Sequence, residues 1–599
     1  MVRPTDRCIQ RGSVRRLAHI LVSSILVSTA SAAAAQSAPQ PLPPTREEVA
    51  RPNVQPPSGA TRVEIEGGIE RAPCALDRPQ FQKLRFTVRG ADFGNVEGVP
   101  GSMLAPAFAN LVGTDQPISV VCEIRDRAAT ILRNAGYVAA VEVPEQTISD
   151  GIVRFRVLMA HLVQVRVRGD AAGAERILSA YLQHLTRQKV FNRFEAERYL
   201  LLASDLPGYT VRLALRPAGT APGEVIGDVT VERTRGYADI NVQNWGSHSL
   251  GPWGVLGRAQ LYGLTGLGDR TTIGLFSTVD PKEEKTVQVG HEFRVGAEGL
   301  TLGGLFTYAW ARPSIADSDF SARTLFATVQ ADYPFVRSVA QSVGGTVGLD
   351  FVDQDVRLNS IDLTRDRLRV AFARLSIDAI STDFSRGRSP AEPKWRFAGN
   401  FELRKGLNIL GASERCGAAG AGCVGPGQVP PSRLEGLSTA AVVRALLYGE
   451  YRPVPKLTFA LGARAQYAWK PLLSFEQFSV GNYTVGRGYD PGALLADRGW
   501  GTQAEIRFGS ALPKNPSKAA IEAYLFWDHA RVKSLERLFV VDQPDTLDSV
   551  GGGARMSFNR FTLDAGLAVP LSRVGIPARK PDPRFLLSLT TRLWPWSIQ

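Results

Sequence analysis

The sequence predicts two βααββ modules, an α+β front half, followed by an all-β membrane half: a sixteen-stranded antiparallel transmembrane β-barrel, in one chain of 599 residues. Three observations predict it. From about residue 236 onward, segments of roughly ten residues alternate apolar and polar side chains. Between residues 74 and 234, one pattern of a β-rich run, two helical runs and two more β-rich runs occurs twice. No stretch after residue 35 approaches the ~18 uninterrupted apolar residues of a spanning helix, which excludes a helical membrane protein and leaves a barrel open.

Composition fits a folded, several-domain protein: 44% hydrophobic and 21% charged residues are too apolar for disorder. The formal charge is +13, and residues 1–35, with five Arg and one Asp, carry +4 of it, so the remainder is mildly basic at +9. No nucleic-acid partner is expected at that balance.

Residues 1–35 read as a signal peptide: Arg3, Arg7, Arg11, Arg15 and Arg16 lead, Ile20 to Val27 is apolar, and Ala33-Ala34-Ala35 offers a small-residue cleavage site before Gln36. Residues 36–73 form a Pro-rich linker in which only Thr45 to Ala50 is open to a short helix. Export places the thiols in an oxidising compartment. Cys8 leaves with the signal, so four remain, and disulfides 74 with 122 and 416 with 423 are expected. A metal site is the competing reading, but no His stands near either pair in sequence.

The first module, 74–160, has a strand at Leu84 to Val88, helices at Met103 to Val112 and Val121 to Asn134, and strands at Tyr137 to Val143 and Ile152 to Leu158. Gly136 stops the second helix. The second module, 161–234, has a strand at Leu162 to Val167, helices at Ala174 to Leu185 and Arg193 to Ser204, and strands at Tyr209 to Leu215 and Val225 to Glu232. A small sheet covered on one face by two helices leaves an edge and a groove able to accept an extended peptide by main-chain pairing; plain structural spacers are the alternative.

Residues 235–599 form the barrel. Strands are expected near 236–245, 255–264, 269–279, 286–296, 299–311, 322–334, 341–353, 366–380, 393–406, 438–450, 456–469, 500–510, 520–532, 550–557, 560–570 and 584–594. Leu457, Phe459, Leu461, Ala463, Ala465, Tyr467 and Trp469 share one face of the eleventh, with polar and charged residues opposite, as lipid outside and water inside require. A soluble sandwich shows the same alternation, but one of this length with so many polar faces is unusual. An even strand number puts both ends of the barrel on the periplasmic side, and the long connections 407–437 and 470–499 on the outer side. Residues 381–392 are long for an inner turn.

Several short motifs resemble one family. Gly136-Tyr137-Val138, Val143-Pro144-Glu145-Gln146 and Asp150-Gly151 are similar to the first periplasmic (POTRA-like) module of two-partner secretion transporters, the TpsB proteins typified by haemolysin-activator and filamentous-haemagglutinin exporters. Leu206-Pro207-Gly208-Tyr209 resembles the matching point of the second. Val485-Gly486-Arg487-Gly488-Tyr489 resembles the tip of that family's sixth surface loop, and Phe526-Trp527-Asp528 its Phe-x-Asp strand motif. Gly486 departs from the β-branched residue usual there. The resemblance covers about residues 74–599. It implies a bacterial outer-membrane transporter with periplasmic modules, loop 470–499 folded into the lumen, and Tyr137, Pro144, Gln146, Pro207 and Tyr209 as contacts for the exported chain.

Alternation turns Glu522, Tyr524, Phe526 and Asp528 to the lumen and Ile521, Ala523, Leu525 and Trp527 to lipid. Arg487, on a loop folded inward, can then offer its planar fork to Asp528. Without the resemblance, Arg487 reads equally as a solvated loop arginine. Gly488 is expected to serve a positive φ, and Tyr489 to pack the tip.

Four functions follow: an export pore for an unfolded, haemolysin- or adhesin-like exoprotein without nucleotide hydrolysis; an outer-membrane protein insertion factor of the same superfamily; a passive porin, which leaves residues 61–233 idle; and a surface enzyme. No Walker loop, nucleophile elbow or clustered His/Asp/Glu set is present in the sequence, so no enzyme activity, cofactor or metal is expected. The chain is expected to act as a monomer in outer-membrane lipid.

Overall fold

A computed structural model of the protein describes residues 44–49, 63–65, 74, 76, 78–81, 83–94, 96–315, 318–383, 388–417, 420–513, 515, 517–536, 545–575 and 578–595. The signal segment and cleavage site, and most of the linker 36–73, lie outside the described residues. Within that linker two pieces are described, a helical turn α1 (Arg46–Val49) and a strand β1 (Val63–Ile65).

The first module holds β2 (Arg85–Thr87), β3 (Gly90–Asp92), β4 (Asp115–Pro117), α2 (Val120–Asn134), β5 (Ala139–Glu142), β6 (Ile152–Arg154) and β7 (Arg156–Met159). These strands pair two by two, β2 with β4, β3 with β6 and β5 with β7, rather than in one continuous sheet. The predicted first helix is instead two short 3-10 segments, Gly101–Ala107 and Ala109–Leu111. Pro106 inside the run supplies no N–H for an α ladder, which accounts for the tighter winding. Helix α2 forms as read: Ile124, Ala128 and Leu132 are buried on one face. Gly136 at φ +89° ends it, with Gly136 N donating to Arg133 O and Tyr137 N to Leu132 O, the paired bonds of a left-handed helix stop. Cys74 and Cys122 are joined, Cα to Cα 6.0 Å, tying the module's start to α2.

The second module is β8 (His161–Gly169), α3 (Glu175–Thr186), α4 (Arg193–Ser204), β9 (Tyr209–Pro217) and β10 (Glu224–Arg233). Leu178, Leu185, Leu200, Val211, Leu213 and Val229 close its core, each fully buried aliphatic side chain contributing about 1.5–3 kcal/mol. Asn192 caps α4 by accepting from Phe194 N at 2.9 Å. Its sheet runs β1-β9-β10-β8, because β1 of the linker adds to the outer edge of β9 in parallel, Val63 opposite Leu213 and Ile65 opposite Leu215. Of the two edges of that sheet, the one at β9 is thus occupied by the chain itself, and β8 forms the other.

Sixteen long antiparallel strands close the barrel: β11 (Gly236–Gln243), β12 (Gly254–Tyr262), β13 (Arg270–Thr278), β14 (Glu284–Val295), β15 (Leu300–Ala311), β17 (Ser318–Arg337), β18 (Gln341–Leu358), β19 (Ile361–Ile380), β20 (Trp395–Gly406), β21 (Ala441–Val454), β22 (Leu457–Ala468), β25 (Arg498–Gly509), β26 (Ala520–Lys533), β27 (Thr546–Phe558), β28 (Phe561–Pro570) and β29 (Arg584–Trp594). A two-residue strand β16 (Ser314–Ile315) pairs beside β17, and β29 returns to β11. No helix of the described residues is long and apolar enough to cross a membrane; the strands cross. Along β26, Leu525 is 67% exposed and Tyr524 7%, so the apolar set faces out and the polar set in. Outward Trp310, Tyr467, Trp469 and Trp500 gather toward one rim, and Tyr333, Phe335, Trp395 and Phe397 toward the other, as interfacial belts do.

Strands β17 to β19 run longer than the alternation suggested. Their outer ends are polar, and ion pairs Arg365–Asp355 and Arg369–Asp353, both 2.7 Å, hold them as a hairpin past the apolar band. The inner connection after Ile380 is long, with Lys394 N donating to Ser381 Oγ at 2.8 Å near its close. In the outer connection 407–440, Cys416 and Cys423 are joined, Cα to Cα 5.5 Å.

Candidate functional site

The connection after β22 does not stay outside. Strands β23 (Phe478–Val480) and β24 (Leu494–Ala496) pair as a hairpin whose residues 481–493 turn into the barrel. Phe478, Val480, Val485, Tyr489 and Leu494 are buried with Ala530, Val532 and Leu547 of the wall. Gly486 sits at φ +108°, and a Cβ there would lie 2.4 Å from Leu547 Cδ2. The glycine that departs from the family pattern is therefore the residue that needs the left-handed backbone. Gly488, for which positive φ was expected, is not among the positive-φ residues; its need is space, since a Cβ would stand 2.9 Å from Pro570 N.

That turn aims Arg487 at the wall. Its backbone N donates to Asp528 Oδ2 at 2.9 Å, Nη2 to Oδ1 at 2.6 Å and Nε to Oδ2 at 3.1 Å. The guanidinium carbon lies 3.7 Å from the centre of the Phe526 ring, a cation–π contact on the other motif residue. Asp528 is fully buried and accepts a further bond from Ser549 Oγ at 3.1 Å. The remaining guanidinium nitrogen, Nη1, donates to Glu505, which the sequence reading did not single out. Glu505 also accepts from Arg507 Nε at 2.6 Å and from Arg555 at 3.2 Å. Glu505 lies one strand over, opposite Phe526 in register, so only the pairing of β25 with β26 reveals it. Tyr489 is fully buried, its hydroxyl donating to Asp548 O at 2.7 Å and accepting from Ser572 N at 2.8 Å.

Turn α1 also lies within the barrel. Thr45 N donates to Glu48 Oε2 at 2.8 Å and Glu48 N to Thr45 Oγ1 at 3.3 Å, a reciprocal cap that lets four residues hold a helical turn. Val49 is buried among Phe326, Val352, Leu368 and Phe475. Arg46 reaches Asp350 at 3.3 Å and Glu476 at 3.7 Å, and Arg464 reaches Glu47 at 2.9 Å. Arg404 independently bonds the same two acids, Asp350 and Glu476, each at 2.8 Å.

At the inner end a cavity of about 1070 Å³ lies between the second module and the barrel, lined by Arg46, Tyr209, Arg212, Arg294, Asp332 and Asp350 among others. Leu206, Pro207, Gly208 and Tyr209 form one wall, with the Tyr209 hydroxyl donating to Ala172 O. The module is fixed there by Arg337, whose Nε and Nη2 reach Asp205 at 2.7 and 2.8 Å, and by Arg198 donating to Pro334 O at 3.1 Å. In the first module Gln146 binds the backbone of Arg154, donating to its O at 2.7 Å and accepting from its N at 2.8 Å. The Tyr137 hydroxyl donates to Gly98 O at 3.0 Å, and Pro144 O accepts from Gln146 at 3.3 Å. These residues brace their own module, and Pro207 and Tyr209 lie at the joint with the barrel; among the described residues no hydrogen bond joins the two sets.

Fold and site together define a transmembrane barrel with a polar, internally plugged lumen and modules at its inner mouth. The family model described as haemolysin secretion/activation protein ShlB/FhaC/HecB matches residues 228–538. The chain belongs to that family, and is an outer-membrane transporter of two-partner secretion with its N-terminal modules in the periplasm and a secreted exoprotein as partner. The family is one of transporters and not of enzymes. Among solved structures, CdiB from Escherichia coli is similar at a TM-score of 0.66 and 14% identity, over 88% of this chain and 93% of that one. CdiB from Acinetobacter baumannii follows at 0.58 and 16%, over 98% and 100%. BamA from Haemophilus ducreyi lacking POTRA domains 1–3 is similar at 0.50 and 12%, over 85% and 100%. At these identities the likeness is one of fold. No curated protein matches the sequence.

Proposed function

We propose that the protein takes up a large haemolysin- or adhesin-like exoprotein in unfolded form at its periplasmic modules, passes it through the barrel without nucleotide hydrolysis, and so activates it. One observation carries this reading: the acids that bind Arg46 of turn α1 inside the lumen have a second basic partner and stay paired when the turn leaves. Arg404 keeps Asp350 of the wall and Glu476 of the connection after β22 paired after Arg46 withdraws, so removing α1 strands neither acid. A pore that must open for a polypeptide and close again needs contacts of this kind. The cavity beneath α1 supplies a polar antechamber, and the Arg487–Asp528–Glu505 cluster sets where the loop tip stands in the closed pore.

In this reading the protein works as a monomer, and its outward apolar band lies in lipid. Secretion of a candidate exoprotein, measured with and without the chain in the same cells, tests it. Exoprotein retained in the periplasm without the chain supports export. Unchanged secretion, with loss of other outer-membrane barrels instead, defeats it in favour of insertion.

A further inference from the structure

The barrel closes where β11 meets β29, and this is the shortest ladder between two of its sixteen long strands, from Ala238 to Gln243 on one side and Trp594 to Ser588 on the other, with a bulge between Ala238 and Asp239. Above Gln243 one more main-chain bond, Asn244 N to Leu587 O at 3.1 Å, is reinforced by the Asn244 side chain, which donates to Phe585 O and accepts from Leu587 N, both at 2.7 Å. The folded-in loop crosses this seam. Asn482 Nδ2 donates to Trp245 O at 3.0 Å, and Gln243 Nε2 donates to the Tyr483 hydroxyl at 3.1 Å.

Asp490, one residue past the Val485–Tyr489 motif, makes the crossing ionic. Its Oδ1 accepts from Arg584 Nη1 on β29 at 2.7 Å and lies 2.9 Å from His248 Nδ1 in the connection after β11. His248 N donates to Oδ2 at 3.2 Å. The other Arg584 nitrogen donates to Gly246 O at 2.9 Å, so one arginine is shared by loop tip, first connection and last strand. Arg584 has a side chain only 8% exposed, with Asp490 as its acidic partner. None of these groups touches Arg487 or Asp528.

We propose that Asp490 is a positioning residue that clasps the barrel seam, so that the loop tip's seat against β26 and the closure of β11 on β29 are one coupled state. The proposal rests on the export reading for its purpose, since it makes displacement of the tip by a passing chain loosen the seam at the same time. The closure itself exists without an exoprotein and is tested without one.

The test uses the full chain in planar lipid bilayers, with open-state occupancy as the readout and heat-modifiable gel migration as the check on folding. Asp490→Ala and the near-isosteric Asp490→Asn are expected to raise spontaneous opening about tenfold, the shift from losing one charge-assisted pair. The exchange Asp490→Arg with Arg584→Asp is expected to restore most of the closed state, which a merely space-filling role would not do. A cysteine pair at Val242→Cys and Leu589→Cys, facing residues across the seam, is then oxidised in the Asp490→Asn background. Suppression of the added opening places it at the seam. Added opening that survives the cross-link, or no rescue by the exchange, overturns the clasp. Export lost from Asp490→Asn with unchanged conductance overturns the clasp too, while leaving the export reading standing.

Discussion

Arg487 uses three side-chain nitrogens and its backbone N–H at once, which lysine cannot do with a single ammonium. Arg487→Lys is therefore expected to cut secreted exoprotein per folded barrel about tenfold or more even though the charge is kept. Arg487→Ala and Asp528→Ala should abolish secretion with the barrel still inserted; normal secretion by both would remove the pair from the mechanism. Because Asp528 is fully buried, Arg487→Ala strands a carboxylate at a cost of about 3–5 kcal/mol, and adding Asp528→Asn should recover part of the lost tip protection in a double-mutant cycle read by limited proteolysis. His248 gives the seam a pH dependence. Its hydrogen bond to Asp490 and that residue's charge raise its pKa above the ordinary 6.5, against burial and the Arg584 charge. Burial raises the Asp490 carboxyl, but the His248 bond and the charges of Arg584 and His248 outweigh it and hold it below the ordinary 3.8. With a raised histidine pKa, the contribution to the closed state is complete below about 6.5 and is lost as pH climbs through the folded value. Opening in bilayers should rise from pH 6 to pH 8, and His248→Ala should flatten that rise.

At the level of elements, the loop hairpin depends on one backbone conformation. Gly486→Val meets both the positive φ and Leu547, so the hairpin should fail to seat, and protease cuts between residues 481 and 493 should appear while β22 and β25 stay paired. Turn α1 depends on its cap: Thr45→Ala removes a reciprocal pair typically worth about 1 kcal/mol, and the expected result is a roughly fivefold rise in plug-free openings, measurable in the same bilayers. The 3-10 winding of Gly101–Ala107 and the length of β17 to β19 show where local patterning misleads. Helical spacing of apolar residues does not register a missing N–H at Pro106. Alternation read for lipid contact stops at the membrane, whereas ion pairs such as Arg365–Asp355 carry a hairpin on into water.

Across the whole molecule, the second module and the barrel meet through Asp205 and Arg337, and that joint shapes the antechamber below α1. Asp205→Ala should lower export several-fold, about the effect of ~1 kcal/mol, with little change in barrel stability, and cross-linking between module and barrel would report the loosened joint. The sixteen strands, the second module, the second helix of the first and the inward face of Asp528 were legible in the sequence, because each depends on local period or on a short motif, and the pairing of Cys416 with Cys423 was legible from their short separation. Glu505, the seam clasp of Asp490, His248 and Arg584, and the self-pairing of Val63–Ile65 on β9 were not. Those contacts join residues on separate strands and connections, and which strand neighbours which, in what register, is fixed only when the sheet closes on itself. Alternation by itself determined which residues of each strand share an apolar face and which a polar one; only closure of the sheet into a cylinder decided that the apolar face lies outside and which charges share the lumen, because a period of two specifies a face and never a partner.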